Sequence, residues 1–149
     1  MFELRPATEE DYAFLWRVAS TTMRDYVHAI WGWDEAWQEP RFRSHFVAGA
    51  WRIIVVEGQD AGGLQASLGP SDATLFLANI YLLPEFQNRG IGSAVVQGLV
   101  AEAEAKNVPL RLDVLKSNPD ALRLYERLGL RVIGDNAERY FMSTEKDQP

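Results

Sequence analysis

The 149-residue chain has no cysteine. Disulfides, thiolate–zinc sites and acyl transfer through a cysteine thioester are therefore excluded. Long apolar runs are also missing: no window approaches the roughly 20 apolar residues of a membrane-spanning helix. Residues 1–12 carry acids where a secretory signal carries positive charge, so a cytoplasmic location with no membrane partner is expected. Positive charge is scarce throughout. Fifteen Lys and Arg face 21 Asp and Glu, a net charge of −6. That leaves no basic footprint for nucleic acid and suits a cationic partner better. With only two histidines, His28 and His45, no metal-ligand spacing and no Ser-His-Asp arrangement emerges. No metal is expected.

What is present is core-forming material. Hydrophobic residues make up 47% of the chain, with five Trp, seven Phe and five Tyr, enough for a folded interior. No repeat, linker or low-complexity stretch divides residues 1–149, which are expected to form one domain with a frayed end at 146–149.

Residues 1–5 read as a short strand ended by Pro6. Thr8, with Asp11 three residues on, has the pattern of a capping box. Tyr12, Leu15, Trp16, Ala19, Met23, Tyr26, Val27 and Ile30 then recur at spacings of three and four, one apolar stripe of a long helix. Gly32 favours a cap, and a second helix is expected to start or kink at Pro40 and run to about Ala48. Residues 52–57 are rich in β-branched side chains, as a buried strand is. Residues 58–63 read as a turn, 64–68 as a strand, 69–72 as a hairpin turn, and 74–83 as a longer strand ended by Pro84. A helix over 92–106 and a strand over 110–115 follow. Asn118 caps a short helix with Pro119 at its first position and Gly129 just past its end. Strands near 131–134 and 139–143 complete the order β-α-α-β-β-β-α-β-α-β-β, an α/β (α+β) fold with a mixed sheet and helices on both faces.

The most informative stretch joins the third of the middle strands to its helix: Leu83-Pro84-Glu85-Phe86-Gln87-Asn88-Arg89-Gly90-Ile91-Gly92-Ser93. Glycines let a backbone present successive N–H groups to an anion without side chains in the way. The helix behind adds its unsatisfied N–H groups and positive dipole end, and Arg89 can add a charge-assisted contact. This is a loop suited to a pyrophosphate. A P-loop would need Lys after the last glycine, and none follows Gly92. A dinucleotide fingerprint would need Gly or Ala where Val95 stands. The pattern Q/R-x-x-G-x-G/A is met in full by Gln87, Gly90 and Gly92.

With that loop, with Asn118-Pro119-Asp120-Ala121, and with Leu124-Tyr125-Glu126-Arg127-Leu128-Gly129-Leu130, the chain resembles the GNAT superfamily of acyl-CoA-dependent N-acetyltransferases over nearly its whole length. The resemblance implies a GNAT-like, mostly antiparallel sheet of six to seven strands flanked by about four helices. It implies acetyl-CoA as co-substrate and direct transfer of the acetyl group to an amine in a ternary complex. The acceptor would be a small molecule or a protein N-terminus or lysine. A non-catalytic acyl-CoA-binding module on the same fold is the alternative, and relatives of this kind often form homodimers.

By the same resemblance, backbone amides at Asn88, Arg89, Gly90, Ile91, Gly92 and Ser93, behind Gln87, would hold the CoA pyrophosphate. The strand segment Ile80, Tyr81, Leu82 and Leu83 would pair with the pantetheine arm, admitted by a splay from the strand over 110–115. Asn118 would steady that arm, or act as a plain helix cap. Tyr125 would protonate the departing thiolate as general acid, although Ala121, Leu124, Tyr125 and Leu128 also read as a core stripe. The amine must lose a proton, because an alkylammonium with a pKa near ~10 is charged at neutral pH. Many relatives carry a Glu before the phosphate loop where this chain has Asn79, which could hold a water in a relay. Glu57, at a strand end, is another candidate base. Trp31, Trp33, Asp34 and Glu35 could line a cation-binding acceptor pocket, or Trp31, Trp33 and Trp37 could simply cover the sheet.

Overall fold

In chain order the elements are β1 (Phe2–Pro6), α1 (Tyr12–Trp31), α2 (Glu35–His45), β2 (Trp51–Val56), β3 (Gln59–Leu68), β4 (Leu75–Leu82), α3 (Ile91–Ala105), β5 (Leu110–Leu115), α4 (Pro119–Arg127), β6 (Arg131–Asp135) and β7 (Arg139–Ser143). They come from a computed structural model that describes residues 2–145; the frayed end expected at 146–149 lies outside the described residues. Short 3₁₀ turns are added at 9–11, 48–50, 70–72 and 84–86. The strands form a seven-stranded sheet in the hydrogen-bonded order β1-β2-β3-β4-β5-β7-β6. The β1–β2, β2–β3, β5–β7 and β6–β7 pairs are antiparallel, and β4–β5 is parallel. The chain divides into two compact units, Met1–Gln65 with Asn79–Ile91, and Ala66–Ala78 with Gly92–Pro149.

In the first unit the Thr8–Asp11 pattern does form a local lock. The Thr8 N–H donates to the Asp11 carboxylate at 2.8 Å, and Arg5 grips both Asp11 oxygens at 2.9 and 3.1 Å. The α1 stripe is the inward face, with Leu15 wholly buried and Ala19 and Val27 nearly so. Gly32, at φ 79°, ends the helix with its N–H on the His28 carbonyl. The second helix departs from expectation at both ends. It starts at Glu35, well before Pro40, because the Asp34 carboxylate accepts the Ala36 N–H at 3.1 Å and so caps it. Pro40 is carried inside the helix, which ends at His45 rather than near Ala48.

The turn expected over 58–63 is much shorter. Glu57 and Gly58, at φ 52° and 78°, make a two-residue reversal between β2 and β3, the geometry that a tight hairpin with positive φ at both positions requires. Gly62 and Gly63 therefore lie inside β3. A Cβ on Gly62 would stand 2.0 Å from the Tyr81 carbonyl oxygen, and one on Gly63 would stand 2.3 Å from Leu15 Cδ2. These glycines mark close approach, not reversal. The core here gathers Leu15, Trp51 and Ile53, with Phe14, Phe42, Phe46 and Tyr81 packed against them.

In the second unit α3 buries Val95, Val96, Leu99 and Ala103, and β5 buries Leu110, Leu112, Val114 and Leu115. The β4–β5 ladder covers Leu75–Leu77 and Leu110–Leu112, and α4 touches β5. The start and stop read from the sequence hold for α4. Asn118 Oδ1 accepts the Ala121 N–H at 3.2 Å, and Gly129 adopts φ 98° just past the end.

Candidate active site

The loop that leads from β4 into α3 is tied down at its root. Phe86 is buried, and the Gln87 side chain donates to the Leu82 carbonyl at 2.9 Å. Gln87 thus braces the loop with its side chain. Asn88 and Gly90 have φ of 61° and 78°, whereas Arg89 between them does not take positive φ. Alternating handedness of this kind turns successive N–H groups toward one side and forms an anion-binding concavity. Gly90 has no atom within 4 Å of the position a Cβ would take, so the space above it is open. Ile91 opens α3 and is buried, and Gly92 and Ser93 are half-buried in its first turn. Arg89 lies over the Phe86 ring at 5.5 Å and 3.7 Å from the Glu57 carboxylate. Glu57 is 75% exposed.

At the end of β4, Ile80, Tyr81 and Leu82 are half-buried, as is Leu83 just past it. The Leu83 N–H donates to Ala61 at 2.9 Å, so that group serves β3. Asn79 is held at both ends of its amide. The Tyr81 hydroxyl donates to Asn79 Oδ1 at 2.6 Å, and Asn79 Nδ2 donates to Gln65 Oε1 at 2.7 Å. The Tyr81 ring stacks on Trp51, with centroids 6.2 Å apart.

The aromatic region at the α1–α2 connection is internally engaged. Trp33 stacks on Trp16 at 6.2 Å, its indole N–H donates to Glu35 at 3.0 Å, and Arg24 lies 5.6 Å over its ring while pairing with the same Glu35 at 3.1 Å. Asp34 caps α2. The cation on this aromatic–carboxylate group is therefore the chain's own Arg24. Trp31 and Trp37 are 51% and 56% exposed, and His28 and His45 are both exposed.

In the second unit Tyr125 is 9% exposed on α4. Burial pushes its phenol up to about 12, so it keeps its proton at all ordinary pH. Asp113 carries no motif that marks it in the sequence. It stands on β5 opposite Phe141 at an exposed position of the strand, and partial desolvation raises its pKa above the usual aspartate value while the Arg139 charge pulls the other way. A carboxyl made more basic by its surroundings is a candidate proton acceptor. The legible signal was a lone acid inside Leu-Arg-Leu-Asp-Val-Leu.

Among the described residues no cluster of His, Cys, Asp and Glu is arranged to hold a metal ion, and no helix is long and apolar enough to cross a membrane.

Comparison with known proteins bears on the family and the fold. The chain is 46% identical over 59 residues to a [ribosomal protein bS18]-alanine N-acetyltransferase of Salmonella typhimurium, a match covering 39% of this chain and 38% of that relative's length. Its fold superimposes on the PaiA N-acetyltransferase of Thermoplasma acidophilum in complex with coenzyme A, with TM-score 0.78, 17% identity and coverage of 98% and 99% of the two chains. It also superimposes on Arabidopsis thaliana Naa50 in complex with a CoA–peptide bisubstrate analogue, with TM-score 0.65, 12% identity and coverage of 97% and 99%. A model of the Acetyltransferase (GNAT) family matches residues 7–130, most of the chain. The chain belongs to the GNAT acetyltransferase family.

Proposed function

We propose that the protein transfers an acetyl group from acetyl-CoA to the α-amine of a peptide or protein N-terminus. The observation that carries this reading is the open, alternately handed backbone at Asn88–Arg89–Gly90, leading straight into α3. Main-chain N–H groups there and at Ile91, Gly92 and Ser93 suit a diphosphate, with Arg89 adding charge. The backbone of Ile80, Tyr81 and Leu82 offers a strand edge to the pantetheine arm. Asn118 uses its amide oxygen as a helix cap, which leaves its NH₂ group as the donor for that arm. The relatives that acetylate a ribosomal-protein alanine and bind a CoA–peptide analogue support a peptide acceptor.

In this reading the amine attacks the thioester directly, since no cysteine exists to carry the acetyl group. Asp113 accepts the amine proton and Tyr125 supplies the proton for the departing thiolate. A phenol near 12 is a weak acid toward a thiol of pKa roughly 8.5. A CoA thiolate expelled into the same dry surroundings is itself made more basic by desolvation, which narrows that gap. Asn79 is fixed by two hydrogen bonds and can orient a water. Glu57, exposed and beside Arg89, is assigned to the phosphate loop.

Calorimetry with CoA, followed by thiol release over a panel of amines that includes an alanine-first peptide, tests the proposal. Micromolar CoA binding with turnover on the peptide supports it. Binding without turnover on any amine replaces it with a CoA-binding module, and no binding at millimolar CoA removes it.

A further inference from the structure

Gln65 is outside every element of the machinery assigned above, yet it ends a directional chain of hydrogen bonds. It pairs with Trp51 in the β2–β3 register, so the two side chains share a sheet face. Asn79 and Tyr81, two residues apart on β4, share a face as well. The Asn79–Gln65 bond and the Tyr81–Trp51 stack place all four on the same face. The phenol proton goes to the Asn79 oxygen and the Asn79 N–H goes to the Gln65 oxygen, at 2.6 and 2.7 Å. The chain of groups therefore runs from Tyr81 to Gln65 and terminates in the Gln65 NH₂, a pair of donors. It contains no formal charge.

A neutral, half-buried array that ends in N–H donors is complementary to a neutral acceptor. An ammonium group has no lone pair to offer it, and an anion would meet no countercharge. The group that fits is an amide carbonyl. Asn79 immediately precedes the β4 segment assigned to the pantetheine arm, so the array stands next to where the acetyl group would be carried. In a peptide N-terminus the first carbonyl lies two bonds from the reacting nitrogen. We propose that Gln65, positioned by Asn79 and Tyr81, donates a hydrogen bond from its NH₂ group to the first peptide carbonyl of the acceptor. Gln65 is thereby the residue that selects α-aminoacyl acceptors over simple amines. This rests on the acetyl-transfer reading and goes beyond it by naming what selects the acceptor.

The test compares an alanine-first peptide with isopropylamine, which has the same branched carbon and no carbonyl. The quantity read is the ratio of their kcat/KM values, each corrected to free amine. Gln65→Leu removes the donors, and the ratio is expected to fall about tenfold, the loss of one good hydrogen bond. Gln65→Glu keeps the oxygen that Asn79 binds but turns the donor end into an acceptor, so the ratio is expected to fall at least as far. Turnover by both variants with an unchanged ratio overturns the assignment. Equal losses on the two acceptors, with a lowered melting temperature, also overturn it and make Gln65 structural. A wild-type protein that binds CoA but acetylates neither acceptor removes the acetyl-transfer reading itself, and this inference with it.

Discussion

Arg89 and Glu57 face each other at 3.7 Å, one from the loop between β4 and α3 and the other from the β2–β3 turn. Both side chains are largely exposed, so the pair contributes little to stability. Its consequence lies in ligand binding, because a carboxylate beside the arginine competes with an incoming diphosphate and repels it. Glu57→Gln is expected to tighten CoA binding about two- to threefold at low salt, with the gain fading near physiological ionic strength. Calorimetry at two salt concentrations reads this. A hundredfold fall in turnover would instead give Glu57 the amine proton.

Gly62→Ala is expected to destabilise the fold by about 3 kcal/mol, at the upper end for forced overpacking. The added methyl would stand 2.0 Å from a backbone oxygen at Tyr81, which cannot swing aside as a flexible side chain would. Urea unfolding of the variant against wild type measures the loss as a lower midpoint at unchanged slope. Gly90→Ala is the contrast. Its methyl meets nothing, so the cost is the roughly 1–2 kcal/mol of left-handed backbone, and the larger effect is expected on CoA affinity.

The difference between these glycines also shows where sequence was a sufficient guide. Element order follows from apolar period and from caps such as Asn118 and Gly129, whose effects are local to a few residues. The strand–turn–helix passage over residues 83–93 was legible for the same reason, since all its parts are consecutive. Gly62 and Gly63 were misread as a turn because their constraint comes from Leu15 and Tyr81, distant in the chain. Pro40 does not mark the start of α2, because the Asp34 cap sets that start at Glu35. Gln65 and Asp113 escaped notice because neither has a signature of its own. One acquires meaning from a bond to β4 and the other from partial desolvation at an exposed β5 position.

Asp113→Asn is expected to lower kcat with the alanine-first peptide by roughly 10²–10⁴, the range for loss of a general base. The raised aspartate pKa sets the direction of the pH effect. At low pH the carboxyl holds its proton and cannot take another, so wild-type turnover at saturating substrate falls as pH drops through that pKa. In the variant this limb disappears from kcat, and the residual rate tracks only the free-amine fraction of the peptide. A variant with the wild-type profile would exclude Asp113 as the base.

Tyr125 permits a test that needs no substrate. Five tyrosines are present, and two of them, Tyr12 and Tyr125, have phenols pushed up to about 12, in each case chiefly by burial. Absorbance at alkaline pH should therefore show late-titrating phenols, and Tyr125→Phe should remove one of them. The stability consequence has a definite sign. Between the unfolded value near ~10 and about 12 the folded phenol keeps a proton that the unfolded one has lost, so stability falls as pH rises through that window. Thermal melts from pH 9 to 11.5 should decline less steeply in Tyr125→Phe than in wild type. If Tyr125 also protonates the thiolate, the same variant loses about a hundredfold or more in kcat near neutral pH, with acetyl-CoA affinity within about threefold of wild type. Loss of the late titration without loss of turnover would leave Tyr125 as a core residue only.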